Sequence, residues 1–214
     1  TSRASNATYV DSAGLVKTSY INNILHSEDF TNWNFNNGSL SNELYVAPNG
    51  TQTAIKYIPD TNNTASHRIF QSNSSSGTLS LYAKNAGLGY ISLVGQATGT
   101  GSKGVSFNLT NGTVHDSTNA TGEIIDVGNG WYRIIVKPNT GGQSYFMINP
   151  HNGVTPDKNN KFRTTYAGDG TSGVIIWGAM LSDDINNEGD YVKTEATATG
   201  GPRYSHDPET LTPT

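Results

Sequence analysis

The chain has 214 residues, of which 34% are hydrophobic and only 14% charged, and it carries a formal net charge of −4 and no cysteine. Soluble domains usually carry roughly 25% charged residues, so this surface must be built largely from neutral Asn, Ser, Thr and Gly. The composition excludes disulfides and thiolate metal sites, and the lack of a basic cluster argues against nucleic acid as a partner. No apolar run approaches the ~18 residues needed to span a bilayer, so membrane insertion is not expected.

The predicted elements are short strands separated by turns, with no amphipathic helix. A small hairpin is predicted over residues 7–18, with its turn at residues 11–14. Strand patterns follow at residues 43–47, 52–58, 66–71, 78–84, 89–94, 105–109, 131–136, 144–148 and 173–181. The pairs Asn111-Gly112 and Asn129-Gly130 supply the positive φ angles of tight hairpins. Turns at a spacing of roughly 8–12 residues predict an all-β protein. The expected fold is an antiparallel β-sandwich (jelly roll, concanavalin-A-like or galactose-binding-like).

The two ends of the chain resemble one element of bacteriophage tail and tail-fibre proteins. Residues 3–18 read RASNATYVDSAGLVKT, and the segment that usually follows such a stretch appears only at residues 202–208, as PRYSHDP. The intervening region therefore looks like an inserted module. We expect residues 1–23 to form an N-terminal hairpin or strap, residues 24–193 the module, and residues 194–214 an extended C-terminal strap or linker.

The inserted region resembles the carbohydrate-binding-module-like jelly rolls of phage and marine bacterial surface proteins. The resemblance rests on the order of LHSEDFTNW at 25–33, APNGT at 47–51, LSLYAK at 79–84, NGWYR at 129–133, and GDGTSG at 168–173 followed by WGA at 177–179. One departure is LSDD at 181–184, where such modules usually have Leu-Glu-x-Gly. The resemblance implies a place at a virion surface or outside the cell. It also implies two kinds of partner, a host-surface glycan or polysaccharide and other virion proteins. Because weak binding at one site would be offset by many copies, a homotrimer or higher oligomer is expected.

Aromatic and polar residues near strand ends are the candidate glycan contacts, because sugar rings stack on aromatic faces while polar groups bind their hydroxyls. In the strand 131–136, Trp131 and Arg133 share one face, and the face with Ile134 and Val136 is the more apolar. This alternation favours burial of Tyr132 and places Trp131 and Arg133 on the second face; the reverse, or a packed structural Trp131, remains open. Trp177 is expected in the core, and Trp33 is expected either semi-exposed or plugging one end of the sandwich. The candidate contacts are Trp33, Tyr90, Trp131, Arg133, Tyr145, Asn149 and His151.

An acidic run near the end of the module offers oxygen ligands for Ca²⁺. Asp184, Asn186, Glu188 and Asp190 alternate as at the start of an EF-hand loop, but the later Gly and Glu of that loop are absent. A solvated loop is the alternative, and no cofactor is required by any other pattern.

No catalytic motif is present, so the chain is not expected to be an enzyme. It has no Gly-x-Ser-x-Gly elbow, no His-Glu-x-x-His and no fixed carboxylate pair. Three hypotheses stay open: a glycan-binding or adhesion module of a phage fibre, a structural or decoration domain of a virion, and a polysaccharide lyase or hydrolase. The last would depend on Tyr132, Arg133 and Gln143.

Overall fold

A computed structural model describes residues 8–10, 14–96, 101–140 and 145–200. The C-terminal segment 202–208, His206, Gln143 and most of residues 3–13 lie outside the described residues. The strands in chain order are β1 (Thr8–Val10), β2 (Val16–Thr18), β3 (Ile21–Asn22), β4 (Asn34–Asn36), β5 (Gly38–Val46), β6 (Gln52–Pro59), β7 (Arg68–Ser72), β8 (Leu79–Ala86), β9 (Tyr90–Gln96), β10 (Lys103–Asn108), β11 (Thr113–Thr118), β12 (Ala120–Gly128), β13 (Trp131–Pro138), β14 (Tyr145–His151), β15 (Gly173–Leu181) and β16 (Thr199–Gly200). A short 3-10 helix covers Phe30–Asn32, and the described ranges hold no α-helix. Nothing in this part of the chain is a helix that could cross a membrane.

Two six-stranded antiparallel sheets form a sandwich, which confirms the predicted fold class. Sheet I has the order β11-β10-β9-β14-β7-β4, and sheet II has the order β12-β13-β8-β15-β6-β5. The chain passes repeatedly between the sheets, so neighbouring strands come from distant parts of the sequence, as β9 beside β14 shows. The predicted hairpins at Asn111-Gly112 and Asn129-Gly130 are both present. Asn129 and Gly130 have φ angles of 54° and 77°, as a turn with two positive φ angles requires.

The core lies between the sheets because alternate residues of each strand point inward. Ile134 and Val136 of β13 face Ile91 and Leu93 of β9 within one buried cluster. Strand β15 is buried along its whole length, and a bulge after Trp177 interrupts its register with β8. Gly178 sits in this bulge with a φ of 63°, a conformation that L side chains rarely adopt.

Two short strand pairs form from residues near the limits of the described ranges. Strands β1 and β2 pair antiparallel, as the N-terminal hairpin prediction requires. Strand β16 pairs with β3, and the backbone N–H groups of His26 and Ser27 donate to the carbonyls of Glu195 and Thr194. The pairing shows that residues near 22 and 200 are neighbours, while the module boundaries at residues 24 and 193 stay a prediction.

Candidate functional site

The outer face of sheet I carries a partly open strip of aromatic and basic side chains. Ile69, Phe146 and Ile148 of β7 and β14 point into the core, so the alternate residues of these strands point outward. Phe70 and Tyr145 are half-buried there, with ring centroids 6.0 Å apart in an edge-to-face arrangement. The guanidinium of Arg68 lies 5.2 Å from the centre of the Phe70 ring. The three side chains form a continuous surface of rings and charge.

Beside this strip is a polar depression of about 250 Å³, which we call the arginine pocket. Its lining is almost entirely polar, and Arg68 links it to the aromatic strip. The lining residues are Asn36, Asn37, Thr64, Ala65, Ser66, Arg68, Asn160, Arg163 and Thr165. Amide, hydroxyl and guanidinium groups at such a site can bind the hydroxyl or charged groups of a ligand.

The two arginines of this pocket have few partners of their own. Nε of Arg68 donates to Oδ1 of Asn36 at 3.2 Å. Nε of Arg163 is buried and has no hydrogen-bond partner among the described residues. In the same part of the chain, no carboxylate forms an ion pair with either guanidinium. Burial, and then the charge of Arg163, lower the pKa of the Arg68 guanidinium.

Arg163 is held in place by a tight turn that packs on sheet I. The backbones of Asp157 and Arg163 pair across this turn, and Lys158 reaches Asp116 of β11 with an N–O distance of 2.7 Å. Phe162 is fully buried against Val94 and Met147 although its φ is 53°. A positive φ at a bulky residue costs roughly 1–3 kcal/mol. Burial of the ring offsets that cost, and the turn thereby anchors the residue next to Arg163.

A buried polar row lies further along the same outer face. In the register of sheet I, Asn149 is opposite Ser92, and Ser92 is opposite Ser106. The amide of Asn149 is fully buried, and neither of its polar atoms has a hydrogen-bond partner within the described ranges. Groups of this kind are rare in folded proteins, so each one calls for an explanation.

His151 is the titratable member of this row. Nδ1 of His151 accepts from the N–H of Gly153 at 3.2 Å, so the proton of the neutral ring is on Nε2. That N–H donates to Oγ of Ser106, with an N–O distance of 2.8 Å. Burial, followed by the nearby charge of His115, lowers the pKa of His151 to about 3. His151 is therefore a neutral structural ring at ordinary pH.

Four of the seven predicted contacts lie on this outer face, but only two are accessible. Tyr90 and Tyr145 are half-buried, whereas Asn149 and His151 are fully buried. Asn149 and His151, which the sequence offered as polar contacts near a strand end, therefore present no accessible donor or acceptor. Both residues belong to β14, and the turn around Phe162 packs on this side of the sheet.

Trp33 corrects another expectation, because it is not semi-exposed. Only 4% of its surface is accessible, and its ring packs edge-on against Phe146 with centroids 5.6 Å apart. Its indole N–H donates to the carbonyl of His26 at 3.1 Å. Trp33 belongs to the main core and offers no face to a sugar.

The outer face of sheet II holds the remaining candidates, Trp131 and Arg133. The alternation predicted for β13 is confirmed, since Ile134 and Val136 face the core and Tyr132 packs beside them. Trp131 is only 3% exposed and joins a separate cluster with Trp177. Trp177 is buried, as predicted, but on the outer face of sheet II. We call this the outer cluster; it comprises Ala47, Ala54, Trp131, Ile175 and Trp177, with Tyr45, Tyr82, Ala86 and Tyr191 against it.

Arg133 is engaged by the C-terminal segment of the module. Its terminal nitrogen donates to the carbonyl of Gly189 at 2.7 Å, and its guanidinium lies 5.7 Å from the centre of the Tyr82 ring. Because Tyr132 and Arg133 point to opposite faces of sheet II, they do not share a cleft, and Gln143 lies outside the described residues.

The residues predicted to hold Ca²⁺ are not brought together. Oδ1 of Asp184 accepts from the backbone N–H of Asn186 at 2.8 Å, and Glu188 lies 3.5 Å from Nζ of Lys137. Asp190 is exposed. Across the ranges that the structure describes, no three acidic, His or Cys side chains are placed to hold a metal ion. The calcium prediction gains no support from this arrangement.

Sequence reasoning missed Arg68, Phe70 and Arg163, the residues that make the strip and the pocket. The alternation of Arg68, Ile69 and Phe70 within the predicted strand 66–71 was a usable signal, because it places Arg68 and Phe70 on the face opposite an apolar residue. Arg163 lies in a turn without periodicity, so no local pattern identifies it.

These features define an all-β sandwich with one open polar and aromatic face. No protein-family model matches the chain, and no curated protein matches it. Solved structures do match, among them a variant of CBM29-2 from work on ligand recognition by family 29 carbohydrate-binding modules. It is 11% identical, covers 82% of this chain and 96% of its own, and superposes with a TM-score of 0.41. A likeness this weak carries no argument about ligands, and the fold class rests on the strand pairing described above.

Proposed function

We propose that the chain is a glycan-binding or adhesion module that contacts polysaccharide through the outer face of sheet I. The observation that carries this proposal is the juxtaposition of half-buried Phe70 and Tyr145 with the polar arginine pocket. A sugar ring offers apolar C–H groups on its faces and hydroxyl groups at its rim. The aromatic strip suits the first, and the amide and hydroxyl groups of the pocket suit the second.

The biological setting that we propose is a fibre or appendage of a phage virion, outside the cell, where the module meets host-surface polysaccharide. The support is the resemblance of residues 3–18 and 202–208 to a phage tail element. Weak binding at one site would be strengthened by many copies, because a linked second event occurs at high effective concentration. A homotrimer or higher oligomer docked to other virion proteins fits this arrangement, and no catalytic step is proposed.

A glycan array probed with the multimerised chain tests the proposal, followed by affinity measurements on each glycan that is captured. Tyr145→Ala should weaken binding between about twofold and about thirteenfold, because ring contacts contribute roughly 0.5–1.5 kcal/mol. Tyr45→Ala is the matched control, since Tyr45 is also a half-buried tyrosine but lies on sheet II.

Two results would contradict the proposal. The first is an array on which the multimerised chain captures no polysaccharide, which would favour a structural or decoration role in a virion. The second is an equal loss of affinity in Tyr145→Ala and Tyr45→Ala, which would move the site away from sheet I.

A further inference from the structure

We propose that the arginine pocket binds an anionic group of the glycan, a uronic-acid carboxylate or a sulfate ester, so that the ligand is an acidic polysaccharide. This inference rests on the proposed function and deepens it. It depends on the charges of Arg68 and Arg163, which stacking of a sugar on Phe70 and Tyr145 does not require.

Arg68 and Arg163 line one depression of about 250 Å³, and no ion pair to a carboxylate joins either of them in the described part of the chain. Two like charges held near each other repel, and Arg163 depresses the pKa of Arg68 accordingly. An anion bound between the two guanidinium groups would attract both of them and so offset their mutual repulsion.

The carboxylates near the pocket lining in sequence are those of Asp157, Asp169 and Asp60. Oδ1 of Asp157 accepts from the N–H of Asn159 at 2.9 Å, and Oδ1 of Asp169 accepts from the N–H groups of Thr171 and Ser172. The third is Asp60. Its Oδ1 accepts from the N–H of Asn62 at 3.0 Å and lies 3.5 Å from Nδ1 of His67. Asp60 is thus committed to its own turn and to a buried imidazole. It does not neutralise the arginine pair.

The two guanidinium groups supply hydrogen-bond donors in the arginine pocket. Arg68 uses only Nε, toward Asn36, and Nε of Arg163 is buried without a partner among the described residues. A guanidinium presents its donors as a planar fork that matches a carboxylate or a sulfate. The hydroxyls of Thr64, Ser66 and Thr165 around the fork can donate to further oxygens.

The net charge of the whole chain opposes the binding of a polyanion. The whole chain carries a formal net charge of −4, so it repels a polyanion at long range. Attraction to an acidic glycan must therefore be local, and the arginine pocket is where the structure provides it.

The test compares three probes on the full chain by affinity electrophoresis and calorimetry. Polygalacturonate presents carboxylates, dextran sulfate presents sulfate esters, and unmodified dextran is neutral. We expect binding to one or both acidic probes, weaker at about 0.1 M than at about 0.01 M ionic strength because salt screens charge. The preferred acidic probe identifies the anionic group.

The variants are Arg68→Gln, Arg163→Gln and Arg163→Lys, each with a thermal melt. Each Gln variant should lose about tenfold or more in affinity for the acidic probe, as expected for a charge-assisted hydrogen bond. Arg163→Lys should fall between, because it keeps the charge without the fork. Arg163 lies in a turn and not in a strand, so we expect its variants to fold. They therefore test the inference even if Arg68→Gln, which removes the contact with Phe70, fails to fold. Lys193→Gln removes the same charge at an exposed site and should leave the affinity unchanged.

Three results would overturn the inference. Binding of neutral glycans that is insensitive to the arginine variants would refute it while leaving glycan binding intact. An equal loss in Lys193→Gln would indicate diffuse electrostatics instead of a site. Binding to no polysaccharide at all, on these probes or on the array, would remove the proposed function together with the inference.

Discussion

The two outer faces of the sandwich differ in a way that aromatic content does not predict. Sheet II carries the larger set of rings, including Trp131, Trp177, Tyr82 and Tyr191. Sheet I presents fewer, namely the half-buried rings of Phe70, Tyr90 and Tyr145. The tryptophans on the outer face of sheet II are nevertheless buried, whereas the rings on the outer face of sheet I are half-buried.

Sheet II is sealed because the chain folds back over it. The hydroxyl of Tyr191 lies 2.7 Å from Oγ of Ser27 and 3.1 Å from the carboxylate of Glu28, so the segment after β15 is tied to the start of the module. The ring of Tyr191 lies 4.7 Å from that of Trp177, whose indole N–H donates to Thr53. The outer cluster is therefore a second core.

The outer face of sheet I, in contrast, holds buried polar atoms that have no hydrogen-bond partner among the described residues. Both amide atoms of Asn149, Nε of Arg163 and the hydroxyl of Thr164 are buried and unpaired among the described residues. On sheet II, the hydroxyl of Thr78, just before β8, and Nε of Arg133 are also unpaired among the described residues. The terminal nitrogen of Arg133, however, is bound to the carbonyl of Gly189. Unmatched donors beside half-buried rings, and not the number of aromatic rings, distinguish the face available to a ligand.

The largest effect should come from breaking the outer cluster. Trp177→Ala should lower the free energy of unfolding by about 3–5 kcal/mol, because it removes a large buried ring and leaves a cavity. Binding by the folded protein should not change, since Trp177 is on the opposite sheet. Chemical denaturation and glycan affinity, both measured well below the melting temperature, check the two halves. A loss of affinity in folded Trp177→Ala would show that the sealed face takes part in binding.

The second-largest effect is a loss of folding stability in acid, and it comes from His151 on sheet I. His151 is neutral in the native state with a pKa of about 3, whereas the unfolded chain has the ordinary value of about 6.5. As the pH falls below about 6.5, the unfolded state binds the proton first. The stabilisation from the neutral ring is thus complete above that pH and is lost progressively toward about 3. Between about pH 6.5 and about pH 4.5 the loss should be about 2–3 kcal/mol.

Denaturation curves at these two pH values, for the parent chain and for His151→Asn, measure this contribution. The acid-induced loss should be smaller in His151→Asn by that amount. His115→Asn is the control, because His115 is exposed: its ring lies 6.0 Å from that of His151, and its charge is the lesser cause of the lowered His151 pKa after burial. An unchanged pH dependence in His151→Asn would mean that the ring is solvated in the native state.

The interior strands could be predicted from the sequence because burial imprints a pattern on them. The segments 131–136 and 173–181 carry apolar residues where the core needs them, and both appear as β13 and β15. The strands β4, β11 and β12, which the patterns did not predict, are all edge strands. Few side chains of these three strands are buried, so their sequences carry little apolar alternation from which a strand could be predicted.

The candidate site was only partly predictable for a related reason. Alternation within β13 correctly separated Trp131 and Arg133 from the core, but it could not show that Tyr191, some sixty positions later, covers that face. The pocket joins Arg68 of β7 to Arg163 of a turn, and only the tertiary fold brings them together. Local sequence patterns therefore predict which face a side chain occupies and say nothing about what covers it.

The smallest effect concerns the unpaired amide of Asn149, and it tests whether the polar row of sheet I exists for stability. Leucine is similar in size and needs no hydrogen bond, so Asn149→Leu should raise the free energy of unfolding by roughly 1 kcal/mol. Denaturation at neutral pH measures this gain, and Ser39→Ala, an exposed position on the edge strand β5, should change stability little. If Asn149→Leu is instead destabilising, the amide has partners in solution. If Asn149→Leu is stabilising but weakens glycan binding, the buried polar row supports the arginine pocket. Sheet I would then keep buried polar groups without hydrogen-bond partners because its open face needs them for binding.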